Sequence, residues 1–499
     1  MRRLVTGMAA VGFVLVACSL AAAQSQADLQ AKVESLEKQV ALLQAKSATG
    51  TGDVKMEETR RISREMSTDA AKYSDEFKIV WDDGVWFKSG DKFALHVGGQ
   101  VLNDWFWVSA NALENDNPQL GQGFGAPVGW RGNSDVDLQS GVAFRSARLL
   151  VEGTLYKYVD FKFEFDGSSY GVSLKDAYME LTQIPWVGNV RVGQFREPFG
   201  LEEQSTLKDL TFMEPALGTA VFAPGYSPGL MLHNSVLDGR MTWAVGVFRH
   251  GLLGNADDAS PWDLADNWGG MAVYSEQGYA LTTRVTGLPY YAENGAKLVH
   301  VGAAYSYRKA NDEHSGGNYA EYIAFPEAMT EYPLLDAFVT EAENVNLVGI
   351  EAATVLGPFS FQTEYIGNYI DRDNYGLSNV CYGAYYAQAS CFVTPGDHRA
   401  YDQKAGAFTR VRPQKNFRED NGWGAVELAT RLSYVDLDEE GLGDYTADSR
   451  GELLDWTLGV NWYLNPNVRV SANYIRACPD RLDTANAVDI FMMRFQFDF

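Results

Sequence analysis

The sequence predicts an all-β protein: a sixteen-stranded antiparallel transmembrane β-barrel with one short coiled-coil helix ahead of it. Three observations carry the prediction. The last nine residues, FMMRFQFDF, alternate with period two. Phe491, Met493, Phe495, Phe497 and Phe499 share one face, and Met492, Arg494, Gln496 and Asp498 the other. Sixteen alternating segments follow one another from residue 93, an even number, joined by connectors that swing between short and long. In DWTLGVNWYL, Trp456 and Trp462 share a face with Leu458 and Val460. They stand about 20 Å apart along a strand, the order of the spacing between two aromatic girdles around an apolar band about 25 Å tall.

Taken from the N-terminus, Arg2 and Arg3 precede a mainly apolar run from Leu4 to Ala17 that ends in small residues. This is the layout of an export signal over residues 1–23, with Ala21 and Ala23 at the small-residue positions before the cut. A second processing reading stands beside it, because Leu15-Val16-Ala17-Cys18 also resembles a lipoprotein box that leaves a lipidated Cys18. Residues 27–46 follow, where Leu29, Val33, Leu36, Val40 and Leu43 recur at spacings of four and three. That is a short coiled-coil seam, or a single amphipathic helix lying on the following domain. Residues 47–76 are polar and without pattern and read as a linker.

From residue 77 to 499 the text is that of the barrel domain. Candidate strands begin near residues 93, 141, 159, 175, 189, 229, 240, 279, 299, 345, 359, 382, 422, 456, 468 and 489. The clearest is VDFKFEFD, in which Val159, Phe161, Phe163 and Phe165 oppose Asp160, Lys162, Glu164 and Asp166. Tight connectors fall at Tyr156-Lys157-Tyr158, Leu356-Gly357-Pro358 and Asn465-Pro466-Asn467, and long ones at 109–140, 196–228, 251–278, 309–344 and 436–455. One connector breaks the alternation: residues 394–421 fall where a tight turn belongs. Closure removes sheet edges and pairs every backbone group within lipid, so the greasy face can point outward without aggregation.

Composition excludes several alternatives. A net charge of −24 argues against nucleic acid, which demands a basic face. Past the N-terminus no run of eighteen apolar residues exists, so helical spans are not expected. The six histidines form no HExxH pair, and no GxSxG elbow or phosphate-cradling glycine loop is present, so neither an enzyme nor a resident cofactor is expected. The acidic stretch DLDEEGLGDYTA opens like a calcium loop at Asp436, Asp438, Glu440 and Gly441. Its twelfth position is Ala447, where a bidentate Glu is required. Cys381 and Cys391, if on one strand, lie about 33 Å apart, beyond disulfide reach; Cys381 with Cys478 is left open.

At VGQFREPFGLEEQSTLKDLTFMEPAL, FAPGYSPGLML, GWGAVELATRLSYVDL and LDWTLGVNWYLNPNVRVSANYIR the chain resembles the phosphate- and polyphosphate-selective porins. The resemblance implies an outer-membrane barrel assembled as a homotrimer, a passive channel for small hydrophilic solutes including anions such as phosphate. It also implies an infolded third extracellular loop that narrows the channel, and recognition of Phe499 by the barrel-assembly machinery. An alternative of another class is a structural or adhesive barrel whose long loops bind a surface partner.

In the sixteen-strand count the third outer loop is 196–228. It holds Arg196 and Lys208 against Glu197, Glu202, Glu203, Asp209 and Glu214. Binding an oxyanion asks for clustered Arg and Lys donors, so this acid-rich loop does not read as phosphate-selective. Strand parity sends Arg148, Lys162, Arg191, Arg284, Arg308, Arg431, Arg469 and Arg494 inward, interleaved with Glu152, Glu164, Asp176, Glu180, Glu364 and Glu427. The mixture is that of a wet, charge-paired channel wall.

Overall fold

The computed structural model describes residues 77–109, 113–114, 135–136, 140–168, 171–250, 278–309, 319–330, 333–372, 377–438, 450–480 and 487–499. The export signal, the coiled coil and the linker lie outside the described residues, as does most of the calcium-like stretch. Residues 77–499 form one compact unit.

Sixteen antiparallel strands make its wall. They are β1 (Phe93–Ser109), β2 (Gly141–Leu155), β3 (Val159–Ser168), β4 (Gly171–Ile184), β5 (Gly188–Arg196), β6 (Tyr226–Val236), β7 (Met241–His250) and β8 (Gly278–Ala292). The second half comprises β9 (Lys297–Lys309), β10 (Ala342–Leu356), β11 (Phe359–Arg372), β12 (Val380–Phe392), β13 (Ala425–Asp436), β14 (Glu452–Asn465), β15 (Val468–Asp480) and β16 (Val488–Asp498). Every one of the sixteen starts within four residues of its expected position. Each pairs with its sequence neighbour, and β16 pairs with β1 from Asp489 opposite Ser109 to Asp498 opposite Gln100, which closes the barrel.

Period-two patterning decides which side each residue faces. On β16, Phe491, Phe495 and Phe497 are 43%, 47% and 47% exposed, while Met492, Arg494 and Asp498 between them are buried. Trp105, Trp107, Tyr365, Tyr385, Trp456 and Tyr474 are also exposed on the outside. These rings cover a surface that water alone would not tolerate, and lipid does. Phe499 extends the last strand by one residue: its amide donates to the Gly99 carbonyl (2.9 Å) and its carbonyl accepts from the Gly99 amide (2.7 Å). Where β16 ends, a hairpin of Phe77–Trp81 and Val85–Ser89 takes over the same edge of β1, with Val85 opposite Val97 and Ser89 opposite Phe93. Among the described residues Cys381 on β12, Cys391 and Cys478 on β15 form no disulfide with one another.

Among the described residues three segments fold inward. Loop 196–228 carries helices α1 (Leu201–Gln204) and α2 (Leu217–Phe222). A hairpin of Tyr319–Ala324 and Leu335–Thr340 lies between β9 and β10. The connector that broke the alternation, 394–421, holds a small hairpin of Ala400–Asp402 and Ala407–Thr409. Helix α2 and the 319–340 hairpin pack on inward apolar residues of β10–β16, including Val345, Ile366, Tyr382, Leu453 and Ile490, in the largest apolar cluster among the described residues. Close approach is required here: a Cβ on Gly218 would stand 2.7 Å from that of Ala384. The 400–409 hairpin packs Ala407 and Phe408 on Leu201, Leu298 and Val355. Thus the β10–β16 side of the interior is filled, and space remains on the β2–β8 side.

Candidate functional site

That space is a cavity of about 1530 Å³. Its wall comes from alternate residues of β2–β8, its opposite side from loop 196–228 and the 394–421 connector. Of the expected channel-wall residues, Arg148, Lys162, Glu164, Glu180, Arg191 and Arg284 line it. Arg308, Arg431 and Arg469 point inward as parity requires but lie beneath the inner loops instead. In the loop, Arg196, Lys208 and Asp209 reach the cavity, whereas Glu197 and Glu202 are buried away from it and Glu203 pairs with Arg196 at 3.5 Å.

The acidic residues of the loop are its fasteners. Glu197, fully buried, accepts two bonds from Arg308 of β9 (2.9 and 3.1 Å) and one each from Ser227 and Thr282. Glu202 meets Arg431 of β13 at 3.2 Å and accepts the Ala216 amide at 2.9 Å. Burial raises the Glu202 carboxyl above its ordinary range against the pull of Arg431. Glu214 pairs with Arg145 of β2 at 3.0 Å and with Arg494 of β16 at 2.6 Å, and Arg494 also holds Asp104 of β1. A carboxylate of the wall answers in kind. Glu364 of β11 accepts the amides of Leu201 and Glu202, both at 2.7 Å, and so caps the first N–H groups of α1. Gly200 makes the approach possible, with φ of 68° and a would-be Cβ only 2.8 Å from the Glu364 carboxylate.

The tally of two basic to five acidic residues in this loop therefore misstates what the cavity meets. Glu197, Glu202 and Glu214 are spent on the wall, and the two basic side chains face the space. Around the whole cavity ten Lys and Arg stand against nine Asp and Glu, so the charges of its lining nearly balance. The charges pair in two groups along the wall. Arg148 donates to Glu164 (2.6 Å) and Asp166 (2.7 Å), and Lys162 meets Glu164 (3.0 Å) and Asp176 (2.8 Å). Arg191 stacks on Tyr178 at 4.1 Å and donates to Glu180 at 2.5 Å, a carboxylate shared with His233. Three cations converge on Tyr226: Arg148 reaches its hydroxyl at 3.5 Å, while Lys175 and Arg196 lie 5.4 and 5.1 Å from its ring.

Sequence reading missed the contribution of the 394–421 connector, which brings Lys404, Arg410 and Arg412 to the cavity. A signal existed: the segment holds six Lys and Arg against four Asp and Glu in a chain of net charge −24. It is tied into the barrel by Arg284, which donates to the Gly406 carbonyl (2.9 Å) and pairs with Glu351 (2.7 Å), and by Tyr401 against His300 (2.7 Å). Burial pushes the Tyr401 phenol up from its ordinary value. Among the described residues no group of three or more His, Cys, Asp or Glu is placed to hold a metal ion.

Comparison with known proteins agrees with this picture. Residues 119–499 match the family described as phosphate-selective porin O and P. Porin O of Pseudomonas aeruginosa is 26% identical over 387 residues, covering 71% of this chain and 82% of the relative. An uncharacterized protein of Caulobacter vibrioides is 25% identical over 398 residues, covering 80% of this chain and 71% of the relative. Among solved structures, an anion-selective porin from Comamonas acidovorans is 12% identical, with 82% of this chain and 100% of that chain covered and a TM-score of 0.47. A sixteen-strand barrel, a girdled outer surface and a charged lumen narrowed by infolded loops accord with the family match over residues 119–499: the chain belongs to the phosphate-selective porin O and P family and forms a channel of the bacterial outer membrane.

Proposed function

We propose that the channel is passive and water-filled and prefers small hydrophilic anions, phosphate-like oxyanions among them. The observation that carries this reading is the disposal of the loop carboxylates: Arg308, Arg431, Arg145 and Arg494 draw Glu197, Glu202 and Glu214 into the wall. The solute is left with Arg196 and Lys208 on the loop and Arg148, Lys162 and Arg191 on the wall facing them. Charge-assisted donors of this kind replace part of an anion's hydration shell, and their carboxylate partners keep any one site weak enough to release it. No reaction chemistry is called for.

Residues 1–23 direct export, the coiled coil and linker lie on the periplasmic side, and Phe499 is the mark read by the assembly machinery. The barrel works as a homotrimer. Supporting that, the strand residues of β2–β6 that face outward include Phe144, Phe163, Phe165, Met179 and Leu230, an apolar stretch that suits a neighbouring subunit.

The deciding measurement is the reversal potential of purified protein in planar bilayers across a salt gradient, repeated with phosphate as competitor. Anion preference with partial block by phosphate is expected. Cation preference would overturn the selectivity, and absence of conductance in folded protein would return the case to a structural or adhesive barrel.

A further inference from the structure

Where the infolded segments meet the wall, three junctions are matched in charge. Glu197 meets Arg308, Glu351 meets Arg284, and Asp104 with Glu214 meets Arg145 with Arg494. A fourth junction is not matched. There three carboxylates gather around the guanidinium of Arg431: Glu202 of loop 196–228, Glu327 from the connection within the 319–340 hairpin, and Asp455 of β14. All are withdrawn from water, with Glu202 and Glu327 3% exposed, Arg431 1% and Asp455 0%.

Two of the three carboxylates touch the cation. Glu327 Oε2 accepts from Arg431 Nη2 (2.5 Å) and Nε (2.9 Å) and from the Thr457 hydroxyl (2.7 Å), and Glu202 shares the same guanidinium. Asp455 forms no ion pair among the described residues; its Oδ2 accepts the Glu327 amide at 2.9 Å. The remaining oxygens of this pair, Glu327 Oε1 and Asp455 Oδ1, are both buried with no hydrogen-bond partner. The other titratable groups nearby are Glu364 of β11 and Tyr386 of β12, which bond to each other at 2.5 Å on the far side of Glu202. Strand β15 opposes Asp455 with the uncharged Ala477. A bare carboxylate buried beside a second one is strongly disfavoured, whereas a carboxylic acid is neutral there and has an O–H to donate.

We propose that Asp455 is a proton-binding site, a carboxylic acid at neutral pH whose Oδ1–H donates to Glu327 Oε1. That proton gives both orphan oxygens a partner and leaves two negative charges, each in contact with Arg431. Glu327 belongs to the infolded hairpin and Asp455 to the wall, so the proton pins one to the other. An unfolded aspartate ionises at about 3.9. Above that pH the native barrel holds one proton more than the unfolded chain, and the pin weakens as pH rises until Asp455 itself ionises. The inference is independent of which ions the channel prefers.

Infrared spectra of the folded full-length protein in detergent, with aspartate carboxyl groups labelled with carbon-13, test it directly. A carboxylic acid C=O band carrying the label is expected at neutral pH and is expected to fade as the solution is made alkaline. Asp455→Asn keeps an acceptor for the Glu327 amide and places an N–H where the proton would lie. It is expected to lose the band and, in urea unfolding, to gain on the unaltered protein by about tenfold in the unfolding equilibrium per pH unit of rise. Absence of a labelled acid band at neutral pH overturns the proposal, as does its survival in Asp455→Asn or a stability difference that does not change with pH. Should Asp455→Asn fail to fold, Asp455→Ser supplies the same assignment of the band.

Discussion

The two sides of this barrel obey one pattern and end in opposite conditions. On β2–β8 the inward positions carry Arg148, Lys162, Glu164, Asp176, Glu180 and Arg191, and they face open space. On β10–β16 the inward positions toward the long-loop end carry Val345, Leu347, Ile366, Ile370, Val435, Leu453 and Ile490, and they face other protein. Parity alone sends both sets inward. What separates them is chemistry: charged residues are satisfied by one another and by water, whereas an apolar inner face has to be covered, and the infolded loops cover it. The channel runs where the wall needs no cover.

This contrast can be broken from the filled side first. Arg431 touches Glu202, Glu327, the Glu214 carbonyl and the ring of Phe212 and is almost fully buried. Arg431→Ala leaves two carboxylates buried without a counter-charge and is expected to destabilise the folded barrel by about 3–5 kcal/mol. Urea unfolding in detergent reads that loss, and adding Glu202→Gln and Glu327→Gln is expected to restore part of it. A second, smaller effect tests the outer surface. Leu458 lies between Trp456 and Trp462 and is 40% exposed; Leu458→Arg is expected to cost about 2–4 kcal/mol if lipid faces it at mid-depth, and a neutral result would deny that placement.

On the open side the expected effects are on selectivity more than on stability. Excising residues 400–409 removes one border of the cavity and is expected to raise single-channel conductance while weakening anion preference. Arg196→Gln with Lys208→Gln is expected to move the reversal potential toward cations at about 0.1 M salt, where the screening length is about 10 Å, and much less at about 1 M, where it is about 3 Å. An unchanged reversal potential at low salt would show that these side chains do not set selectivity. The smallest effect belongs to the exposed pair of Lys157 and Asp91 on the short-turn surface. Lys157→Ala is expected to leave the unfolding midpoint unchanged, since solvent screens such pairs.

Much of the fold was legible because β patterning is local. VDFKFEFD and FMMRFQFDF state in eight or nine residues which side meets lipid, and Trp456 and Trp462 mark the height of the band. The site was legible only in part. Arg148 and Arg431 have the same parity and the same charge in sequence, yet one borders the cavity and the other is buried under loop 196–228. The charge count of that loop misled for the same reason, since a Glu next to an Arg of a distant strand is a fastener and a Glu facing water is a barrier. Runs of inward apolar residues on β10–β16 were the available clue that the interior is filled there. The basic excess of 394–421 was the clue that this connector belongs inside.

By itself the sequence determined the number of strands, their direction of facing and the closure of the last on the first, because each depends on neighbours two residues apart and on the need to pair every backbone group in lipid. Tertiary structure alone decided which inward charges are paired with each other, which with the loops, and where an open path is left. Those outcomes depend on contacts between residues up to several hundred positions apart, such as Arg494 with Asp104 and Glu214. Electrostatic pairing is set by distance in space, about which residue order says nothing.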